Sequence, residues 1–249
     1  MTTRQTPERI LDVAERHFAR RGYYGASLRS ITTEAGVQLA LVHYHFKSKE
    51  KLYRAVIARR VEALTAQRFA MLAERPAGRR GRPSVEQVVR ALVAPTLELC
   101  RSDEDGGRYY GQMLGPLIND PEDRAEKILT ELFDPIARRF LQALREAAPD
   151  ADDAALNWGY YFAIGAMVQA LAKTGRIERL SNGRCNSSDV SVVIDSLVRF
   201  ITAGITALAS SAGKSRPARL QTKKKSRLRA AALAQSRPAA RSSSGGRTR

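Results

Sequence analysis

Residues 35–53 read AGVQLALVHYHFKSKEKLY, and this stretch decides the interpretation of the N-terminal part of the chain. Gly36 supplies a sharp turn, and a short helix is predicted from about Gln38 to His45. Ser48 then caps a longer helix that follows. The stretch therefore predicts two helices separated by a capped turn, with aromatic rings, imidazoles and lysines close together.

The residues before this stretch predict two further helices. Thr6 caps a helix whose first position is Pro7 and which ends at Gly22. Ser27 is well placed to cap a short helix that runs through Glu34. Two short helices that are joined by a tight glycine turn and braced by a preceding helix are the components of a helix-turn-helix DNA-binding domain.

The third of these helices has an inner and an outer side. If Val37, Val42 and Phe46 pack inward, the outer side carries Gln38, Leu39, Leu41, His43, Tyr44 and His45. Glutamine can bond an adenine edge, apolar and aromatic groups can contact a thymine methyl, and imidazole or phenol can donate to phosphate. Three lysines follow, where the amides at a helix N-terminus already favour an anion. This side of the helix is therefore predicted to contact DNA.

The same residues also have purely structural interpretations. Tyr44 fits a half-buried packing ring, and the lysines fit a solvated surface, as most runs of charge do. His43 and His45 are two positions apart and point in different directions, and His17 lies on the first helix, so no metal site is predicted. The surrounding pattern, rather than the lysines, favours DNA.

The net charge of +17 is concentrated at the two ends of the chain. Residues 1–74 carry +6, residues 75–209 carry −1, and residues 210–249 carry +12 without an acidic side chain. Basic segments gain affinity for phosphate by releasing condensed counterions, so the ends are expected to meet a polyanion. Residues 210–249 are low in apolar content and are predicted to be a disordered tail. A sequence-independent DNA arm is favoured over a solubilising extension.

Residues 9–57 resemble the N-terminal domain of the TetR (tetracycline-repressor) family of bacterial transcriptional regulators. The shared pattern is a helix ending in F...G, then S.R.I...AGV, then YHF.SKE.L. By this resemblance the DNA-contacting positions are Ser27, Arg29, Gln38, Leu39, Ala40, His43, Tyr44, His45 and Lys49. The chain departs from many members at QLAL, where Leu39 and Leu41 replace small polar groups that could bind phosphate or base edges.

The remainder of the chain predicts a larger helical body. Arg75 to Ser84 form a Pro-, Gly- and Arg-rich loop, after which Ser84 caps a helix that ends near residue 101. A short helix disturbed by Pro116 follows, and then a long helix from Pro121 to about residue 148, bent at Pro135. The chain is therefore predicted to be all-α. Its predicted parts are a three-helix DNA-binding domain at 1–54, a ligand-binding and dimerisation domain at 55–209, and the tail.

The last two predicted helices, residues 152–175 and 188–209, are more apolar than the surface helices of a monomer. Small residues along both would let helices approach closely. In the family that the chain resembles, the final helix pair forms a four-helix bundle with the same pair of a second subunit. A homodimer is therefore expected, and residues 188–209 form its predicted interface.

A ligand chamber is expected in the body, because large rings and adaptable methionines can line an apolar site. The candidate lining residues are Tyr109, Tyr110, Met113, Phe133, Phe140, Trp158, Phe162 and Met167. The resemblance implies that the helices carrying them surround a pocket for a small apolar or amphipathic effector. Ordinary core packing explains each of these residues equally well.

Other function classes have little support. No run of 18 apolar residues suggests a membrane span, and the N-terminus lacks the apolar core of a signal peptide, so a cytoplasmic protein is expected. Cys100 and Cys185 fit reduced thiols. The chain has no phosphate-binding glycine loop, nucleophile elbow or HExxH motif, so neither an enzyme nor a cofactor is predicted.

The prediction is a ligand-responsive transcriptional regulator, a repressor that a small molecule releases from a palindromic DNA operator. The alternative is an architectural DNA-binding protein that acts through its basic tail without a regulatory ligand.

Overall fold

The computed structural model describes residues 5–74, 81–101, 106–172 and 174–211, and their regular structure is helical throughout. The helices are α1 (Gln5–Gly25), α2 (Leu28–Ala35), α3 (Leu39–Phe46), α4 (Lys49–Ala73), α5 (Val85–Arg101), α6 (Gly107–Ile118), α7 (Asp123–Ile128), α8 (Asp134–Ala147), α9 (Asp153–Leu171), α10 (Arg176–Leu180) and α11 (Val190–Ser211). A π-helical turn, Leu129–Phe133, joins α7 to α8. The all-α prediction is confirmed. The predicted disordered tail lies outside the described residues, apart from its first two.

The N-terminal helices pack around one small core, and local signals set their ends. Ile31 of α2 and Val42 of α3 are buried against α1. Gly36 ends α2 in the left-handed conformation (φ 60°, ψ 40°), which glycine adopts without steric cost. The Ser48 hydroxyl accepts a 3.1 Å hydrogen bond from the Lys51 amide at the start of α4. The predicted turn and cap are therefore present.

Three local details of this region differ from the sequence prediction. Helix α1 already includes Gln5, so Thr6 lies inside the helix and does not cap it. Ser27 occupies the N-cap position of α2, but its side chain makes no capping hydrogen bond. Gly22 (φ 66°, ψ 177°) breaks the helical geometry as predicted, yet the chain resumes a helical turn up to Gly25.

Helix α5 lies at the centre of the body and packs against α4, α6, α8 and α11. Its N-terminus is closed reciprocally: the Ser84 amide donates to Gln87 Oε1 at 2.8 Å, and the Gln87 amide donates to the Ser84 hydroxyl at 3.2 Å. Such a pair satisfies two amides that the helix itself leaves without partners. Ser84 therefore caps α5 as predicted.

The predicted long helix after residue 121 is divided into α7, the π-helical turn and α8. Pro135 lies in the first turn of α8. Because proline has no amide hydrogen, it cannot donate to a carbonyl in the preceding turn, and the chain accommodates one widened turn at Leu129–Phe133. The irregularity predicted at Pro135 is therefore a π-helical turn immediately before it, and the first helix begins at Asp123 rather than Pro121.

Helices α9 and α11 pack against each other and against α5. A Cβ atom at Gly159 would lie 2.8 Å from Ile205 Cγ1, so a glycine is needed where the two helices approach closely. The inner side of α11 carries four buried residues: Ile194, Val198, Ile201 and Ile205. The short helix α10 between them was not predicted from sequence.

Within the part of the chain that the structure describes, one helix is long and apolar enough to cross a membrane: Val190–Ser210 of α11, with mean hydropathy 1.7. Only 28% of this window is buried in the chain. Length and hydropathy therefore do not by themselves separate α11 from a membrane-spanning helix, although no continuous apolar run predicted one. Its packing against α5 and α9 accounts for one apolar side, and the other side remains open.

Candidate nucleic-acid interface and internal cavity

Helix α3 is anchored through one side and leaves the other side open. Val42 is 1% exposed, and Val37 and Phe46 are partly buried against the core. The predicted inner side of the helix is therefore the observed one. On the opposite side Tyr44 is 70% exposed. The other exposed residues of this surface are Gln38, Leu39, Ala40, Leu41 and His43, and His45 is half-buried.

Tyr44 is the centre of a small group of polar and cationic side chains. The Lys47 ammonium lies 5.5 Å from the centre of the Tyr44 ring and donates a 2.8 Å hydrogen bond to the Tyr44 carbonyl. The His45 ring meets the Tyr44 ring edge-on at 5.0 Å. His43 Nδ1 lies 3.2 Å from the Lys47 carbonyl oxygen. The end of α3 therefore presents an aromatic ring with imidazole and ammonium groups around it.

The remaining predicted DNA contacts lie in two environments. Ser27 and Arg29, at the start of α2, are exposed. Lys49 is partly buried instead: its ammonium lies 3.4 Å from the Tyr24 carbonyl oxygen and 4.7 Å from the centre of the Tyr23 ring. Burial, followed by the nearby positive charge of Arg124, lowers the pKa of Lys49. Lys49 therefore helps to hold the N-terminal helices together, which its place in a run of lysines did not indicate.

An arginine from the body reaches the tyrosines of the N-terminal helices. The Arg124 guanidinium of α7 lies 3.7 Å from the centre of the Tyr23 ring, and also near the rings of Tyr24 and Tyr53. It donates a 2.6 Å hydrogen bond to Asp120. Arg124 is 8% exposed, so this contact is a buried junction between the body and the N-terminal helices. Sequence reasoning missed it, because a hundred residues separate Arg124 from Tyr23.

A second contact joins the π-helical turn to α4. Arg54 Nε donates a 2.7 Å hydrogen bond to Glu131 Oε2. Nearer the start of the chain, the buried carboxylate of Glu15 in α1 accepts hydrogen bonds of 2.7–2.8 Å from Arg59 and Arg60 of α4. Helix α4 is therefore tied by ionic contacts both to α1 and to the π-helical turn of the body.

The body encloses a cavity of about 40 Å³. Its lining residues are Arg68, Leu92, Tyr110, Leu114, Ile118, Phe133, Ile136, Tyr160, Ile164 and Met167. Tyr110, Phe133 and Met167 belong to the eight residues that the sequence suggested for a ligand chamber. Those three predictions are therefore placed around one interior space.

The other five predicted ligand residues do not line this cavity. Met113 and Phe140 are buried in the surrounding core. Tyr109 points to the surface, where its hydroxyl accepts a 3.0 Å hydrogen bond from Arg108. Trp158 and Phe162 are 57% and 55% exposed on the outer side of α9. The reason is helical periodicity: residues four apart share one side of a helix, whereas Met167 lies half a turn from that side.

The outer sides of α9 and α11 together form an open apolar surface. Its large members are Trp158, Tyr161, Phe162, Val192 and Phe200, each more than half exposed. The Trp158 and Phe162 rings stack at 5.6 Å. An open groove of about 760 Å³ beside α10 continues this surface and is lined partly by Leu180, Cys185 and Phe200. Exposed apolar surfaces of this extent mark interaction sites.

Comparisons with known families agree with the two halves of this architecture. The profile for bacterial regulatory proteins of the tetR family matches residues 10–56. The profile for the tetracyclin repressor-like C-terminal domain matches residues 90–204. The first match runs from within α1 to the beginning of α4, and the second covers most of the body.

The individual relatives share about a third of their residues with this chain over the matched segments. The HTH-type transcriptional activator FasR of Mycolicibacterium smegmatis is 30% identical over 135 residues, which are 52% of this chain and 58% of FasR. An HTH-type transcriptional regulator in the dhlA 5' region of Xanthobacter autotrophicus is 33% identical over 95 residues, covering 37% of this chain and 45% of that protein. The chain thus spans about half the length of these curated relatives.

Solved structures share the fold over nearly their whole length. The fatty acid degradation regulator FadR from Bacillus halodurans superposes with a TM-score of 0.61 at 13% identity, covering 80% of this chain and 95% of its own. FadR from Bacillus subtilis, in complex with stearoyl-CoA, gives 0.57 at 12% identity over 79% and 98%. At such identities the likeness concerns the fold alone. With both of its halves matched, the chain belongs to the TetR family of transcriptional regulators.

Proposed function

We propose that this chain is a homodimeric regulator that binds a palindromic operator through α3 and leaves it when a small amphipathic molecule occupies the body. It acts as a repressor in the cytoplasm. The observation that carries the proposal is the exposed side of α3, whose tyrosine, imidazole and amide groups stand away from the core. A helix anchored on one side, with both hydrogen-bonding and apolar groups exposed on the other, suits the major groove.

The proposed base and phosphate contacts divide by location. The proposed DNA-contacting residues are Ser27, Arg29, Gln38, Leu39, Ala40, His43, Tyr44, His45 and Lys49. Gln38, at the N-terminus of α3, is suited to an adenine edge, and Leu39 is suited to a thymine methyl. Ser27 and Arg29 are suited to phosphate, which sets orientation rather than sequence preference. Lys49 contributes by positioning the N-terminus of α4. The backbone amides of that N-terminus can then donate to a phosphate of the DNA.

The proposed dimer uses the open apolar surface of α9 and α11. Two helices with one side packed in the core and a second side left apolar are completed by the same pair from another copy, as in a four-helix bundle. This arrangement accounts for the high hydropathy of α11, because both of its sides are then buried. A two-fold dimer also matches a palindromic operator.

The proposed release mechanism runs through α7 and the π-helical turn. Phe133 of this turn lines the cavity, and Glu131 of the same turn bonds Arg54 on α4. Arg124 on α7 is packed against Tyr23. A molecule that displaces Phe133 therefore shifts elements that touch the DNA-binding helices directly. The shift need only favour a separation that no longer fits half-sites about 34–36 Å apart.

Arg124→Ala is expected to destabilise the junction between body and DNA-binding helices. The substitution removes a desolvated cation–π contact and leaves Asp120 without its 2.6 Å partner, so the free energy of unfolding falls by about 2–3 kcal/mol. Arg138→Ala is the matched control, since Arg138 also bonds an aspartate four residues earlier but is 71% exposed. It should change stability by less than about 0.5 kcal/mol. Urea unfolding measures both, and equal losses would contradict the proposed junction.

Removal of residues 212–249 is expected to weaken binding to all DNA while preserving operator choice. All twelve cations of the tail lie in this segment, and contacts between cations and phosphate carry no preference for a base sequence. Log affinity falls by about 0.9 per neutralised phosphate for each tenfold rise in salt, so losing four contacts flattens the slope by roughly 3–4. Titrations at several salt concentrations measure the slope. Identical slopes for the two proteins would show that the tail does not touch DNA.

The function itself is tested by selecting binding sites for the purified protein from random DNA and from its own genome. If the chain is a sequence-specific regulator, one palindromic sequence should be selected. The protein should bind that sequence more tightly than random DNA even when salt weakens the phosphate contacts. Equal affinity for all sequences would instead support the alternative of an architectural DNA-binding protein acting through its tail.

An activator is a second candidate, because the relative FasR is named a transcriptional activator. The sign of regulation depends on where the operator lies relative to the promoter, which the protein fold does not determine. A reporter gene behind the selected operator, measured with and without the protein, separates the two. If expression of the reporter rises when the protein is present, the protein is an activator rather than a repressor.

A further inference from the structure

Arg68 is a buried cation in the wall of the internal cavity. It lies on α4 and is 4% exposed. Its Nε donates a 3.2 Å hydrogen bond to the Leu92 carbonyl, and its Nη2 donates to the Thr96 hydroxyl. Both acceptors are neutral. Among the described residues no carboxylate pairs with Arg68, so its positive charge is not neutralised within that part of the chain.

The charge of Arg68 persists at neutral pH. Burial lowers its pKa, but the guanidinium is a very strong base and arginine stays protonated in proteins. An isolated buried ion loses hydration free energy comparable to the net stability of a whole domain. Buried charged groups in proteins are therefore usually paired with a group of opposite charge.

Two phenols line the same cavity. Neither Tyr110 nor Tyr160 makes a side-chain hydrogen bond to another described residue. Burial raises the pKa of Tyr160 to about 12 and also raises the pKa of Tyr110 above its ordinary value. Both phenols are therefore protonated at neutral pH and can donate a hydrogen bond. One cation and two free donors meet in a space whose other walls are apolar, including Leu114 and Ile136.

We propose that this cavity receives the carboxylate of a free, straight-chain amphipathic acid, which is the effector of the regulator. The inference rests on the proposed function and names the class of molecule that would control it. The planar guanidinium matches a carboxylate with two parallel hydrogen bonds. A single cation neutralises a monoanion, whereas a dianionic phosphate would leave a net negative charge buried.

The proposal also distinguishes a free acid from its coenzyme A thioester. A thioester has no charge at the carbonyl end of its chain, so it cannot neutralise Arg68 with that end. The multiply charged coenzyme would in turn be too large and too anionic for the interior. Both molecules carry the same apolar chain. Only the free acid, however, ends in a single negative charge that can neutralise Arg68.

The cavity must widen to hold more than the head group. Its 40 Å³ holds only a few waters, since one water needs about 10–15 Å³ on this scale. Phe133 of the π-helical turn Leu129–Phe133 forms part of the wall of the cavity. Single π-helical turns within α-helices occur frequently at functional sites. Entry of an apolar chain past Phe133 would move the turn that holds Glu131 against Arg54. Binding and operator release are then linked through one element.

The test uses the whole chain, residues 1–249, and thermal unfolding. The probes are straight-chain carboxylates from butanoate to octadecanoate, each compared with the primary alcohol and the coenzyme A thioester of equal chain length. At least one carboxylate should raise the Tm by several degrees with saturation, and its alcohol and thioester should not. Arg68→Met should have a Tm at or above that of the parent protein and should lose the carboxylate-induced shift. Arg138→Met, on the surface, should keep it.

A second variant guards against misfolding of Arg68→Met. Tyr160→Phe removes one donor and keeps the ring, so it should weaken carboxylate binding about tenfold in calorimetric titration. The proposal is overturned if alcohols or thioesters stabilise the protein as well as the acids do, if no acid stabilises it, or if both Arg68→Met and Tyr160→Phe bind the acid unchanged.

Failure of this proposal and failure of the proposed function give different results. A protein that selects a palindromic operator but ignores every carboxylate is a regulator with another effector. A protein that binds a carboxylate through Arg68 but selects no DNA sequence has the cavity chemistry without the regulatory role.

Discussion

Phe200→Asp should convert the protein into a folded monomer that no longer binds its operator tightly. Phe200 is 70% exposed in the single chain and lies in the middle of the open apolar surface of α9 and α11. In the proposed four-helix bundle an aspartate at this position would be an unpaired buried charge, which costs several kcal/mol. A loss of about 4 kcal/mol raises the dimer dissociation constant by roughly a thousandfold. Operator affinity falls with it, because two joined DNA-binding domains must contact the two half-sites together.

Ile201→Asp is the matched control, one residue further along the same helix. Ile201 is 4% exposed and packs inside the single chain, so this variant should lose helical structure and melting cooperativity. The sequence predicted residues 188–209, which include Val193 and Ile201, as the dimer interface, so aspartate at either position was expected to produce monomers. The structure corrects the prediction for Ile201, which belongs to the core of one chain, while Val193 is half-buried at the edge of the groove.

Light scattering and circular dichroism distinguish these outcomes. A Phe200→Asp protein that remains dimeric at micromolar concentration would place the dimer interface elsewhere. If Phe200→Asp unfolds like Ile201→Asp, the outer surface of α11 contributes to the fold of the single chain.

Tyr44→Ala should abolish detectable operator binding while leaving helix content and the dimer intact. The ring is 70% exposed at the end of α3, so the core loses little when it is removed. Tyr44 also supports its neighbours, since Lys47 and His45 both contact the ring. Central aromatic residues of interfaces often cost about 2–4 kcal/mol when truncated, which corresponds to a loss of roughly 30- to 1000-fold in affinity.

Fluorescence anisotropy with the selected operator measures the effect. Tyr44→Phe separates the hydroxyl from the ring: near-parental affinity would show that the ring packs on DNA, and a loss equal to that of Tyr44→Ala would assign the hydroxyl as the contact. Phe46→Ala should behave oppositely. It should lower the melting temperature by removing a partly buried ring, at a cost of up to about 3 kcal/mol. Unchanged operator affinity for Tyr44→Ala would show that α3 meets DNA through other residues.

The sequence indicated the DNA-binding region far more completely than the body, for a physical reason. A left-handed Gly36, a capping Ser48 and the spacing of Val37, Val42 and Phe46 act within a few residues of one another. Local hydrogen bonds and helical periodicity therefore determine the turn, both helix ends and the outward side of α3. The proline that follows the widened turn, Pro135, is another local signal that was readable.

Contacts between distant residues were not readable in this way. An apolar residue has the same character whether it faces its own core or another molecule, so Ile201 and Phe200 could not be separated by pattern. The same holds for Met167, which lines the cavity, and Trp158, which points away from it. Only the packing of α9 and α11 on α5 decides which side of each helix is enclosed.

Charged residues depend even more on the tertiary structure. Arg68 follows Val61 and Leu64 at helical spacing, which marks a core position on α4, but only the fold shows that no described carboxylate accompanies it there. Arg124 contacts Tyr23, which lies about a hundred residues earlier in the chain. The sequence by itself thus determined the helices, the helix-turn-helix and the distribution of charge, because these follow from short-range geometry and composition. The tertiary structure decided the cavity, the junction and the open surface, because each depends on which distant side chains share one enclosed space.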